Sequence, residues 1–131
     1  MKLMLDTNAY SAMKRGHGIV EDQIRAATGL CISVVVVGEL LHGFRAGNRY
    51  DRNVAELQAL LDHPLCSLVG VDWDTAWHFA RIAAELRRKG RPLPSNDIWI
   101  AGQCWQAGAT LLSSDGDFEH VDGLAWLRFA A

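Results

Sequence analysis

Lys2-Leu3-Met4-Leu5-Asp6-Thr7-Asn8-Ala9-Tyr10-Ser11-Ala12-Met13 is the stretch on which the fold turns. An apolar run too short for a helix is closed by an acid, and from Asn8 to Met13 the apolar positions shift to helical spacing. The unit therefore reads as a strand followed by a helix. Residues 20–27 continue helically. Leu30 to Val36 is rich in β-branched residues and reads as a buried strand, while Glu39, Leu40, Leu41 and Phe44 suit the helix after it.

Further along, Val54, Leu57, Leu60 and Leu61 form a helical stripe, and 66–71 is a third strand. Trp73 to Arg88 predicts a long helix with Trp77, Ala80, Ala84 and Arg87/Arg88 on one face. Lys89 to Ser95, with Gly90, Pro92 and Pro94, is a loop. Ser95 or Asn96 then caps a helix whose inner face is Ile100, Ala101 and Cys104, and Gly108 ends it. Short strands at 109–112 and 124–129 complete the alternation. That order predicts an α/β fold, a three-layer α/β/α sandwich around a mainly parallel sheet of four or five strands, in one domain over residues 1–131.

Composition narrows the function. Half of the 131 residues are hydrophobic, enough for a layered core, yet the longest apolar stretch is far too short to span a bilayer. The opening Met-Lys-Leu-Met-Leu-Asp places an acid where a signal peptide would stay apolar, so a cytoplasmic protein without membrane contact is expected. Cys31, Cys66 and Cys104 are odd in number and form no CxxC pair, which speaks against disulfides and a zinc-thiolate site. The net charge of -2 excludes a protein that grips nucleic acid by overall basicity. Basic residues nevertheless cluster as Lys14-Arg15, as Arg45, Arg49 and Arg52, and as Arg87-Arg88-Lys89-Gly90-Arg91, where each group also suits a solvated helix face or C-terminus.

Ligands of open parallel sheets bind beyond the carboxyl ends of the strands. Asp6, Glu39, Asp97, Asp115 and Asp117 all fall at such positions. Taken singly, each acid has an ordinary structural use: Asp6 as a cap, Glu39 on a helix surface, Asp97 in a first turn, and Asp115-Gly116-Asp117 in a turn. Placed on one edge they repel and raise one another's pKa unless a cation holds them. All-oxygen ligands suit Mg²⁺ or Mn²⁺. The five histidines show no metal-binding spacing.

In order and spacing, Met4-Leu5-Asp6-Thr7-Asn8, Gly38-Glu39-Leu40-Leu41-His42-Gly43, Asn96-Asp97-Ile98-Trp99-Ile100-Ala101 and Leu111-Leu112-Ser113-Ser114-Asp115-Gly116-Asp117-Phe118 resemble the PIN-domain nucleases, and within them the VapC-type toxins of toxin–antitoxin pairs. The likeness covers nearly the whole chain. It implies Mg²⁺- or Mn²⁺-dependent RNA cleavage, a homodimer, and a small antitoxin that blocks the site. It further implies Asp6, Asp97 and Asp115 as ligands of the main ion, Glu39 on a second ion or on the attacking water, and Asp117 as a weaker ligand. Asn8 and Ser113 are expected to hold the carboxylates by hydrogen bonds. Arg87, Arg88, Lys89 and Arg91, with Arg45 and Arg49, are expected on the RNA backbone. Ser113 stands where the family often has Thr, Gly102 replaces a common Ala and is expected to loosen its helix, and the end Leu127-Arg128-Phe129-Ala130-Ala131 is less polar than usual. Two rivals remain: a Mg²⁺-dependent phosphatase with an aspartyl nucleophile, although the second acid two residues after Asp6 is missing, and a non-catalytic partner-binding module.

Overall fold

The structure, a computed structural model, describes residues 1–131. In chain order the elements are β1 (Lys2–Leu5), α1 (Thr7–Lys14), α2 (Gly18–Ala26), β2 (Gly29–Ser33), α3 (Val34–Arg45), α4 (Tyr50–Leu61), β3 (Cys66–Val69), α5 (Trp73–Lys89), α6 (Ser95–Ala107), β4 (Thr110–Ser113), a 3-10 turn (Gly116–His120) and β5 (Trp126–Arg128). The strands form one sheet in the order β3-β2-β1-β4-β5, with every neighbouring pair parallel. Side chains alternate across it. Met4 and Leu111 face a core shared with α3 to α6, whereas Leu3, Leu5 and Leu112 face α1 and α2 through Ala9, Ala12 and Val20. Helices therefore cover both faces, giving the expected α/β/α sandwich. No helix is long and apolar enough to cross a membrane.

The topology also selects a position for a site. From β1 the chain moves outward through β2 to β3, then returns to the opposite side of β1 for β4 and β5. The order reverses between β1 and β4. Open parallel sheets bind ligands beyond the strand ends at such a point, and Asp6 and Asp115 follow the two strands that meet there.

Several local expectations are corrected. β2 stops at Ser33, so the valine run 34–37 is helical. Ser33 Oγ accepts the Val35 N–H at 2.9 Å and donates to the buried Gln103 Oε1. This cap, and burial of Val36 and Leu40 beneath α3, outweigh the β preference of the valines. Glu39 consequently lies inside α3 instead of just after a strand. On α5 the buried face is Thr75, Ile82 and Leu86, while Trp77 is 58% exposed beside Arg81 and His78. The helix is rotated from the face its aromatic residue suggested. Gly102 does not loosen α6. A Cβ there would meet His78 Cβ at 3.4 Å and Phe79 N at 3.5 Å, so the missing side chain lets α5 pack closely. Gly108, at φ 63°, closes α6 as expected.

Gln103 fastens the strand exits on this side. Its amide donates to the carbonyls of Val69 at 3.1 Å and Gly70 at 3.0 Å, and its carbonyl accepts from Ser33. Gln103→Leu should destabilise the fold by about 2–3 kcal/mol, because it leaves these buried partners unmatched. Urea unfolding measures this, and an unchanged midpoint would refute the clamp.

Candidate active site

Asp6 stands where β1 becomes α1, and it is only 5% exposed. Its Oδ1 accepts the Ala9 N–H at 2.8 Å, capping α1, while Oδ2 accepts the Ser113 hydroxyl. Ser113 also accepts the Asp115 N–H at 3.0 Å, and Asp115 Oδ1 accepts the Asp117 N–H at 2.9 Å. The two strand ends are thus tied through one hydroxyl. Gly116 in the next turn gives room to Arg128: a Cβ there would come within 3.0 Å of the guanidinium.

Glu39 reaches the same region from α3. Thr7 Oγ1 donates to its Oε1 at 2.9 Å, and Asn96 Nδ2 donates to its Oε2 at 2.6 Å. The expectation for Asn8 is corrected here, because Asn8 is exposed and makes no bond to a carboxylate. Thr7 and Asn96 make those bonds instead. Neither Ser95 nor Asn96 caps α6, whose N-cap is Pro94 without a side-chain bond. The polar residue beside each acid was the available signal: Thr7 follows Asp6, and Asn96 precedes Asp97.

Asp97 lies in the first turn of α6. Burial, then the charges of Asp115, Glu39, Asp6 and Asp117, push its carboxyl up to about 6. Burial also raises Asp6, more than its bonds from Ser113 and Ala9 lower it, with Asp115 and Glu39 adding to the rise. None of these acids forms an ion pair. All five salt bridges of the chain lie elsewhere, on Glu56, Asp22, Glu85 and Asp122. Arg128 lies over Gly116 between Asp115 and Asp117 without pairing with either. The acids feel one another's charge, yet no three stand close enough to hold one ion between them. Mutual repulsion favours that separation while Asp6 stays pinned to Ser113. The donor set itself fits a hard divalent ion: carboxylate oxygens, with Asp97 free of any hydrogen-bond donor.

Of the basic candidates, Arg87, Arg88 and Lys89 are exposed in the last turn of α5, and Arg91 is exposed between it and the helix that carries Asp97. Lys89 is already engaged, at 2.6 Å from Asp122 and 2.9 Å from the His120 carbonyl. Arg45 lies over the Tyr50 ring, and Arg49 borders a cavity between α1 and α4.

The PIN domain model matches residues 3–124. The chain belongs to the PIN-domain family. This PIN domain is 32% identical over 127 residues to the tRNA(fMet)-specific endonuclease VapC of Shigella flexneri, covering 95% of each chain. It superposes on the DNA-bound VapBC of Salmonella typhimurium with TM-score 0.85 and 27% identity, covering 98% of each chain. With VapBC-5, a member of the VapBC family of toxin–antitoxin systems from Mycobacterium tuberculosis, the TM-score is 0.76 at 25% identity and 98% coverage of both.

Proposed function

We propose that this PIN domain is a Mg²⁺- or Mn²⁺-dependent ribonuclease, the toxin of a toxin–antitoxin pair, working in the cytoplasm as a homodimer and silenced by a small cognate antitoxin. The observation that carries the chemistry is the acid cluster at the reversal of strand order, in which Asp6, Glu39, Asp97 and Asp115 form no ion pair with a Lys or Arg. The VapC names and toxin–antitoxin titles of its relatives support the biological role.

Asp6, Asp97 and Asp115 are the ligands in this reading, Asp117 is an outer and weaker one, and Glu39 positions water. A bound divalent ion supplies a water of lowered pKa and stabilises charge developing on the phosphodiester. Ser113 holds Asp6 at one orientation by its hydroxyl bond. Thr7 and Asn96 take one oxygen each of Glu39 and so fix the plane of its carboxylate. The exposed Arg87, Arg88 and Arg91 offset the negative field that would otherwise turn RNA away.

The deciding experiment offers the purified protein a single-stranded RNA and, separately, p-nitrophenyl phosphate, each with Mn²⁺. Internal scission of the RNA without release of nitrophenol is expected. Nitrophenol release with intact RNA would establish the phosphatase instead, and no turnover of either would leave a binding module.

A further inference from the structure

A second concentration of positive charge lies beside the carboxylate cluster, on the helices that carry Asp6 and Glu39 and on α4. Between α1 and the start of α4 is a cavity of about 430 Å³, bordered by Lys14, Arg15, Arg49 and Arg52. Its one acid, Glu56, is taken up by Lys14 at 2.9 Å and Arg52 at 3.2 Å. Arg15 and Arg49 have no carboxylate partner. Four cations against one acid leave 4 - 1 = +3 around this cavity, in a chain whose net charge is -2. Tyr10 adds a second, independent feature. Its ring is packed in the core, and its residue borders the cavity with a hydroxyl that makes no hydrogen bond within the chain and is open to solvent.

Position decides which anion belongs there. Tyr10 is four residues beyond Asp6, about 6 Å along the axis of α1, and Phe44, also at the cavity, is five residues beyond Glu39 on α3. A ligand filling the cavity therefore borders the carboxylates on two shared helices. Peptide carboxylates and phosphates are both anions, and what favours phosphate is the divalent ion that the ribonuclease reading puts in the neighbouring cluster. A single-stranded polynucleotide meets both needs, since its phosphates repeat along a flexible chain and a groove of cations can track them.

We infer that this cavity is a phosphate subsite, in which Arg15, Arg49 and the Tyr10 hydroxyl hold the RNA backbone next to the bond being cut. The inference rests on the ribonuclease reading. It moves part of the backbone contact from the Arg87–Arg91 segment to the cavity between α1 and α4, and it adds two residues that the sequence did not single out for RNA: Tyr10 and Arg15.

The test is binding of a fluorescein-labelled single-stranded RNA, followed by anisotropy across a salt series in the Asp97→Asn background with Mg²⁺, so that the strand stays intact. Arg15→Gln/Arg49→Gln is expected to weaken binding about tenfold and to reduce the slope of log affinity against log salt by about 0.7 to 1.4, the release from one or two phosphates. Arg15→Lys/Arg49→Lys should keep the slope, and Tyr10→Phe should weaken binding severalfold without changing it. Equal affinity and slope in the Gln variant would overturn the subsite. The same result together with lost binding of a poly-glutamate peptide would assign the cavity to a protein partner. Failure of the unsubstituted protein to cleave the same RNA with Mn²⁺ would instead bring down the ribonuclease reading itself.

Discussion

Asp97→Asn is expected to lower RNA cleavage by about a hundredfold or more while raising the melting temperature of the metal-free protein. The two effects share one cause. At neutral pH the Asp97 carboxylate is an ion held partly out of water among other carboxylates, with its pKa pushed to about 6 by burial and then by Asp115, Glu39, Asp6 and Asp117. An amide keeps the shape and removes the charge. It also removes an anionic ligand, and with it the several kcal/mol that a correctly held ion contributes to the transition state. The gain in stability is roughly 1 kcal/mol, well below the full value of the shift because the group is partly exposed and solvent-screened. For a chain of this size that corresponds to about 3–5 °C.

The sign follows from proton uptake. The folded carboxyl binds its proton more tightly than the unfolded one, so folding takes up a proton between about pH 4 and pH 6, and this contribution to stability is lost as pH rises through that window. The advantage of Asn should therefore be present at pH 7.5 and vanish below about pH 4, where Asp97 is neutral in both states. Melting both proteins in chelator across this range measures it. An advantage independent of pH would mean that Asn improves packing and that the charge is unimportant. Cleavage at the parent rate would remove Asp97 from the site altogether.

The dual use of Asp6 explains why a sequence is an imperfect guide to such a site. Strand followed by acid and then helix was readable at residues 2–13, and the structure makes Asp6 both a helix cap and a member of the cluster. The cap holds Asp6 rigid, and a rigid carboxylate is what a site needs, so the structural and functional readings were never competitors. Where the reading failed, tertiary contacts outweighed local preference. Val34 to Val37 carries strong β propensity, but Ser33 caps a helix there through the Val35 N–H and is itself held by Gln103, 70 residues away. Trp77 drew the expected face of α5 toward itself, yet Gly102 on α6 sets how α5 docks and leaves that ring outside. Glu39 was placed at the correct edge although its distance from the strand was misjudged, because α3 leads it there and Thr7 and Asn96 fasten it. Cross-chain bonds of this kind leave little trace in spacing. What marks them is a polar residue beside each acid.

Removal of divalent metal should be as damaging as loss of Asp97. Cleavage in EDTA is expected to fall by about a hundredfold or more and to return with excess Mn²⁺. The same ion should stabilise the fold, by about 2.7 kcal/mol at a hundredfold excess over its dissociation constant. That gain must depend on pH in a defined direction. Proton and metal compete for the same carboxylates, and with Asp97 titrating near 6 and Asp6 also raised, both groups favour the proton as the solution is acidified. The rise in melting temperature produced by Mn²⁺ should thus be large at pH 7.5 and small at pH 5. In Asp97→Asn it should be diminished at both. Ordinary surface carboxylates, titrating near 4, would stay ionised across this interval and give equal shifts at the two pH values. Equal shifts in the parent protein would therefore place the ion away from the cluster, even if cleavage itself proved metal-dependent. A shift that grows through pH 6 and requires Asp97 ties metal, stability and catalysis to the same few oxygens at the end of β1.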